Sequence, residues 1–176
     1  KQWYIEIDYP LIDTVQIFER DVAGAFQKST LGDDYHFYLR RVKYTNLVYP
    51  VTTLPQQSKT IYFRINTQMG LQLPVRIWSP TRFIEKVNSR QVGVGFFYGG
   101  MLVLLLICAY LFNVFDKKIN NYFVAYSGCL ILMLFAFDGL AFEYVWPFSP
   151  WWANRAVSFW GGLSCFWMTQ LPRLFL

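Results

Sequence analysis

From Val92 to Phe115 the chain runs 24 residues without a single charge. A bilayer core about 30 Å thick is crossed by about 20 apolar residues at about 1.5 Å each. A buried soluble helix of that length would need protein on every face, which a chain of 176 residues cannot supply. The stretch therefore predicts a transmembrane helix, with the lipid bilayer as its partner. Two more spans follow, about 122–142 and about 156–174, the last carrying Gly161-Gly162 and meeting Pro172-Arg173 near its end. Trp146, Trp151 and Trp152 cluster between them, as aromatic residues do at the headgroup level. Gly95 and Gly99 fit a small-xxx-small spacing, and glycine is also simply common in membrane helices.

Charge divides the chain in two. Residues 1–91 hold 12 of the 16 Lys and Arg and 8 of the 11 Asp and Glu. A halfway shift of this kind marks a change of solvent. The net charge of +5 is scattered and contains no run of five or six like charges, so it describes a solvated surface and no nucleic-acid partner. Cys108, Cys129 and Cys165 all lie in the charge-poor half and read as small apolar residues of buried helices. No zinc spacing or disulfide framework is expected, and no cofactor.

Lys117-Lys118 and Arg173 fall on one side of the spans, and short cytoplasmic loops carry excess Lys and Arg. That side is read as inside, which puts residues 1–91 outside. Arg82, Lys86 and Arg90 pull the other way, but long folded segments translocate largely regardless of charge. The first residue is Lys, no signal peptide precedes the first strand-like run, and the last residues carry no further domain. The chain reads as a fragment missing something at both ends.

Residues 1–80 alternate with a period of two. Trp3, Ile5 and Ile7 alternate with Tyr4, Glu6 and Asp8, and similar runs surround Val15, Ile61–Ile65 and Val75–Ile77. One face of each strand should be buried and the other wet. Turn signals separate the runs at Tyr9-Pro10, Leu31-Gly32-Asp33-Asp34, Leu54-Pro55 and Gln68-Met69-Gly70. About six short strands predict a jelly-roll-like β-sandwich, lacking one or two strands, followed by a bundle of membrane helices. Residues 81–91 are expected to be a linker or short helix, and 92–176 the membrane region.

No catalytic constellation stands out. His36 is the only histidine and has no obvious partner for base chemistry. Asp33-Asp34 comes nearest to the paired carboxylates of a carbohydrate-modifying enzyme, but neighbouring turn or strand residues tend to point apart. Tyr38, Arg40, Arg41, Arg64 and Trp78 are candidates for ligand contact, since sugars are bound by aromatic faces and hydrogen-bonding side chains; strand aromatics also commonly pack in the core. Asp138 near the outer end of the second span is a candidate for packing or gating, with Glu143, Asn154 and Arg155 on the same side. A transporter or channel component with an outer gating domain is the alternative function. It predicts more ionisable residues in the spans, where Asp138 stands by itself.

The ordered set of these stretches resembles a known family, the bacterial seven-transmembrane receptors with diverse intracellular signalling modules. The N-terminal part is similar to that family's second type of extracellular domain through Tyr9-Pro10-Leu11-Ile12-Asp13-Thr14-Val15, Gly32-Asp33-Asp34, Arg40-Arg41, Ile61–Ile65 and Leu73–Trp78. The membrane part is similar through Gly95–Gly100, Asn113, Tyr122 with Tyr126, the stretch Asp138–Pro147 and Asn154-Arg155-Ala156. The resemblance implies a plasma-membrane sensor with an outer N-terminal domain for small molecules, carbohydrates among them. It also implies four further helices and a cytoplasmic output module: a histidine kinase, a diguanylate cyclase or a phosphatase. Receptors of this design often act as homodimers.

Overall fold

The computed structural model describes the chain except residues 21–24, 55–57, 68–69, 71, 116, 171 and 175–176; the side chains of 111–120 and 174 are also outside the description. The turn signals at Pro55 and Gln68-Met69, the side chains of Asn113 and Lys117-Lys118, and the end of the third expected span at Leu171 and 174–176 fall among these. The chain forms two compact units. One joins Lys1–Glu85 with Phe137–Asn154, and the other joins Lys86–Ala136 with Arg155–Leu176.

Among its described residues the first unit holds six strands: β1 (Gln2–Ile7), β2 (Thr14–Arg20), β3 (Phe26–Leu31), β4 (Leu47–Thr52), β5 (Ile61–Asn66) and β6 (Val75–Trp78). They form two three-stranded antiparallel sheets, ordered β4-β1-β6 and β3-β2-β5. Ile7, Leu47, Tyr49 and Val51 of the first sheet meet Val15, Ile17 and Leu31 of the second in one buried core, so the fold is a β-sandwich. Pro50 lies on edge strand β4, where its missing N–H costs no ladder bond to a second neighbour.

The outer face of the first sheet is only partly wet: Arg76 is exposed on it, but its cross-strand neighbour Glu6 is not. Glu6, expected to face water, is fully buried. Its two carboxylate oxygens accept bonds from Asn46 Nδ2 (2.9 Å) and Trp78 Nε1 (2.7 Å). Beside it, Phe83 closes the face against Tyr4 and Tyr44, with ring centroids 5.0 and 5.5 Å away. A buried carboxylate is tolerable here because hydrogen bonds replace the water it loses.

The helices are α1 (Pro80–Phe115), α2 (Lys117–Phe137), α3 (Leu140–Tyr144) and α4 (Pro150–Gln170). The expected linker at 81–91 is thus part of α1, a single helix of 36 residues. Within it Pro80–Tyr110 is long and apolar enough to cross a membrane, and no residue of its most apolar window is buried. Phe96, Leu104, Leu106 and Tyr110 are each more than half exposed. Each such side chain left in water forgoes about 1.5–3 kcal/mol of burial, so lipid is the solvent these residues fit. The apolar run of α2, Asn121–Phe137, is shorter. Helix α2 stops at Phe137, before the expected Phe142, because Gly139 turns the chain with φ +75°. In the second unit Tyr98 packs on Phe135 and Tyr122 on Trp167. The close approach falls at Gly161, where a Cβ would lie 3.2 Å from Met133 Sδ. Gly95 and Gly99 have no such neighbour within 4 Å among the described residues.

Candidate functional site

Residues 137–154 fold with the sandwich, and the seam between them is built from opposite ends of the sequence. A 3-10 turn at Phe37–Leu39 buries Phe37. Phe142 meets it edge to face at 5.8 Å. The Arg40 guanidinium lies over both rings, 4.9 Å from Phe37 and 5.6 Å from Phe142. Its Nη1 donates to the carbonyls of Tyr44 (2.9 Å) and Thr45 (2.8 Å). Burial pushes Arg40 down to about 10, against the pull of Asp33 and Glu143, so it stays charged at neutral pH. Thr45 Oγ1 donates to Glu143 Oε2 at 2.7 Å, and Phe37 N–H donates to the Pro147 carbonyl at 3.2 Å. Asn154 Nδ2 donates to Asp34 Oδ1 at 3.0 Å. Tyr38 stacks on Phe148 at 5.0 Å and lies under Lys43.

The expected site residues are therefore scattered in role. Tyr38, Arg40, Glu143 and Asn154 meet at the seam. Arg41 lies over the Tyr49 ring at 5.6 Å, Arg64 is exposed on β5, and Trp78 is bonded to buried Glu6. Asp138 is half-buried in the turn after α2, and Arg155 is exposed in the other unit.

A cavity of about 580 Å³ opens elsewhere on the sandwich, lined by Glu19, Arg20, Phe26, Gln27, Thr52, Leu54, Ser58, Lys59, Thr60 and Tyr62. None of the five residues expected to contact ligand lines it. The Phe26 and Tyr62 rings meet edge to face at 6.1 Å, with Arg20 over Phe26. Glu19 is paired with Lys59 and accepts from Tyr49 Oη at 2.8 Å. Burial pushes the Glu19 carboxyl up, but the bonds from Lys59 and Tyr49 and the nearby charges outweigh it and hold it below its ordinary value. Nothing in the sequence flags Phe26 and Tyr62 as partners, since they come together only by β3 and β5 flanking β2.

Asp33 lies where β3 ends. Burial pushes its carboxyl up to about 7, with Asp13 and Asp34 adding to the rise and Arg40 opposing it. An acid whose folded pKa exceeds its unfolded 3.8 holds its proton longer in the native state. Its stabilising contribution is full below about 4 and is lost as pH rises through about 7. Thermal melts in metal-free buffer should thus show higher stability at pH 5 than at pH 8, and Asp33→Asn should shrink that difference.

Two family models cover most of the chain. Residues 1–79 match 7TMR-DISM extracellular 2. Residues 90–176 match 7TM diverse intracellular signalling. The chain belongs to the 7TMR-DISM family. It is a membrane receptor chain; the first matched region ends just before α1 and the second begins within it. Comparison with curated proteins and with solved structures found no match.

Proposed function

We propose that this receptor senses a small molecule outside the plasma membrane and passes the signal through its helices to a cytoplasmic kinase, cyclase or phosphatase module. The observation that carries this reading is the shared unit of sandwich and 137–154 segment. The chain leaves that unit at three points, within α1, at the end of α2 and at the start of α4. A ligand that prefers one arrangement of the unit therefore biases three helices at once, and a ligand without such a preference shifts nothing. Lys117-Lys118 and Arg173 favour the cytoplasm on their side, which leaves the sandwich outside.

Carbohydrate is the ligand class the cavity suits. Phe26 and Tyr62 offer apolar faces, and Glu19, Arg20, Gln27 and Lys59 offer directed donors and acceptors around them. Phe26→Ala and Tyr62→Ala should each weaken glycan binding at least tenfold, about 1.4 kcal/mol. Glycan screening of the full chain in detergent, followed by calorimetry on the variants, tests this. Failure to bind any glycan, with receptor output unchanged when the cavity is blocked, removes the sensing claim.

A further inference from the structure

Three carboxylates converge where β2 begins and β3 ends. One oxygen from each of Asp13, Asp33 and Asp34 lies within 4.8 Å of the others. Backbone bonds from Asp33 N–H to the Ile12 carbonyl and from Asp34 N–H to the Asp13 carbonyl fix the two stretches together. Gly32 permits this approach, since a Cβ there would stand 2.0 Å from the Asp13 carbonyl oxygen. Exposed acidic groups often cluster without purpose, but Asp33 is not exposed. The residue is 4% accessible, and its Oδ1 has no hydrogen-bond partner among the described residues. A buried carboxylate oxygen without a donor is satisfied in one of two ways, by a retained proton or by a bound cation. Arg40 acts on Asp33 at a distance: its Nη1 is held by the Tyr44 and Thr45 carbonyls, and its Nε makes no hydrogen bond to Asp33 Oδ1, both being without a partner among the described residues. One guanidinium also cannot offset three carboxylates.

We propose that Asp13, Asp33 and Asp34 bind a single calcium ion. Calcium takes six to eight oxygens at about 2.3–2.6 Å, so two of its ligands stand up to about 5 Å apart. It tolerates irregular oxygen sets such as two adjacent turn residues and a third from another strand. Magnesium demands a near-ideal octahedron. Asp34 also accepts from Thr14 Oγ1 (3.1 Å) and from Asn154 Nδ2. An ion on Asp34 would thereby fix the carboxylate that ties the sandwich to the start of α4. The ion site stands apart from the sugar cavity and does not depend on it.

The test is calorimetric titration of calcium chloride into the full chain in detergent, stripped first with chelator. One saturable site per chain is expected, weakened at least tenfold by Asp33→Asn and by Asp34→Asn and unchanged by Glu85→Gln. Near-UV circular dichroism checks that each variant is folded; Asp34 is exposed, so its variant remains informative if Asp33→Asn fails to fold. No binding by the unaltered chain up to about 10 mM, above the range of weak extracellular calcium modules, overturns the proposal. Equal binding by the folded variants does the same, and equal binding of magnesium overturns the assignment to calcium.

Discussion

Gly139→Val is expected to release the 137–154 segment from the sandwich and to destabilise that unit by about 2–5 kcal/mol. Two costs combine. Gly139 sits at φ +75°, where a residue with a side chain loses about 1–2 kcal/mol. Its Cβ would also stand 2.8 Å from Pro10 Cβ and 2.8 Å from Thr45 Cγ2. Overpacking of that kind costs about 1–3 kcal/mol, and Pro10 has little freedom to retreat. Thr45 is the residue that donates to Glu143, so the push falls directly on the seam. Hydrogen exchange on the chain in lipid nanodiscs should show faster exchange at the Phe37, Glu143 and Val145 amides. Gly162→Ala, with open space around its Cβ position, should leave exchange there unchanged. Equal exchange in the Gly139 variant and the unaltered chain would mean that the seam contributes nothing.

Asn46→Ala should cost about 3–5 kcal/mol. The Asn46 amide is buried and donates to Glu6 Oε1 and to Asp8 Oδ1. Removing it strips donors from a carboxylate with no access to water, and hydrogen bonds to charged groups contribute about 1.5–3 kcal/mol each. Replacing both partners behaves differently, because two apolar groups leave no orphaned charge. Asn46→Ala combined with Glu6→Leu should therefore recover part of the loss, the remainder being the Trp78 Nε1–H that loses its Glu6 acceptor. Urea unfolding followed by tryptophan fluorescence measures both, with Trp78 reporting on the site. A double variant no more stable than Asn46→Ala would show that Glu6 does not need its donors.

The strand pattern reached the core but not its outer covering. Ile5, Ile7, Val15, Ile17 and Ile61–Ile65 follow the expected period of two, and the sandwich follows from them. Glu6 broke the pattern because Asn46, Trp78 and Phe83 arrive from 40, 72 and 77 positions away, and periodicity sees only neighbours. The apolar span from Val92 was legible because length against bilayer thickness needs no tertiary knowledge. The end of α2 was not, since an apolar run continues through Leu140-Ala141-Phe142 while the backbone turns at Gly139. Arg40 shows the same limit at the seam. An arginine beside strand-like aromatics suggests a ligand surface, yet burial between Phe37 and Phe142 depends on a segment about 100 residues downstream.

The receptor reading requires the 137–154 segment and the sandwich to share the outer side of the membrane, with the connection between α1 and α2 in the cytosol. Alkaline phosphatase, active only outside the cytoplasm, measures this when fused after Ser149 and, separately, after Lys118. High activity at Ser149 and background activity at Lys118 are expected. High activity at Lys118 with background at Ser149 would contradict it.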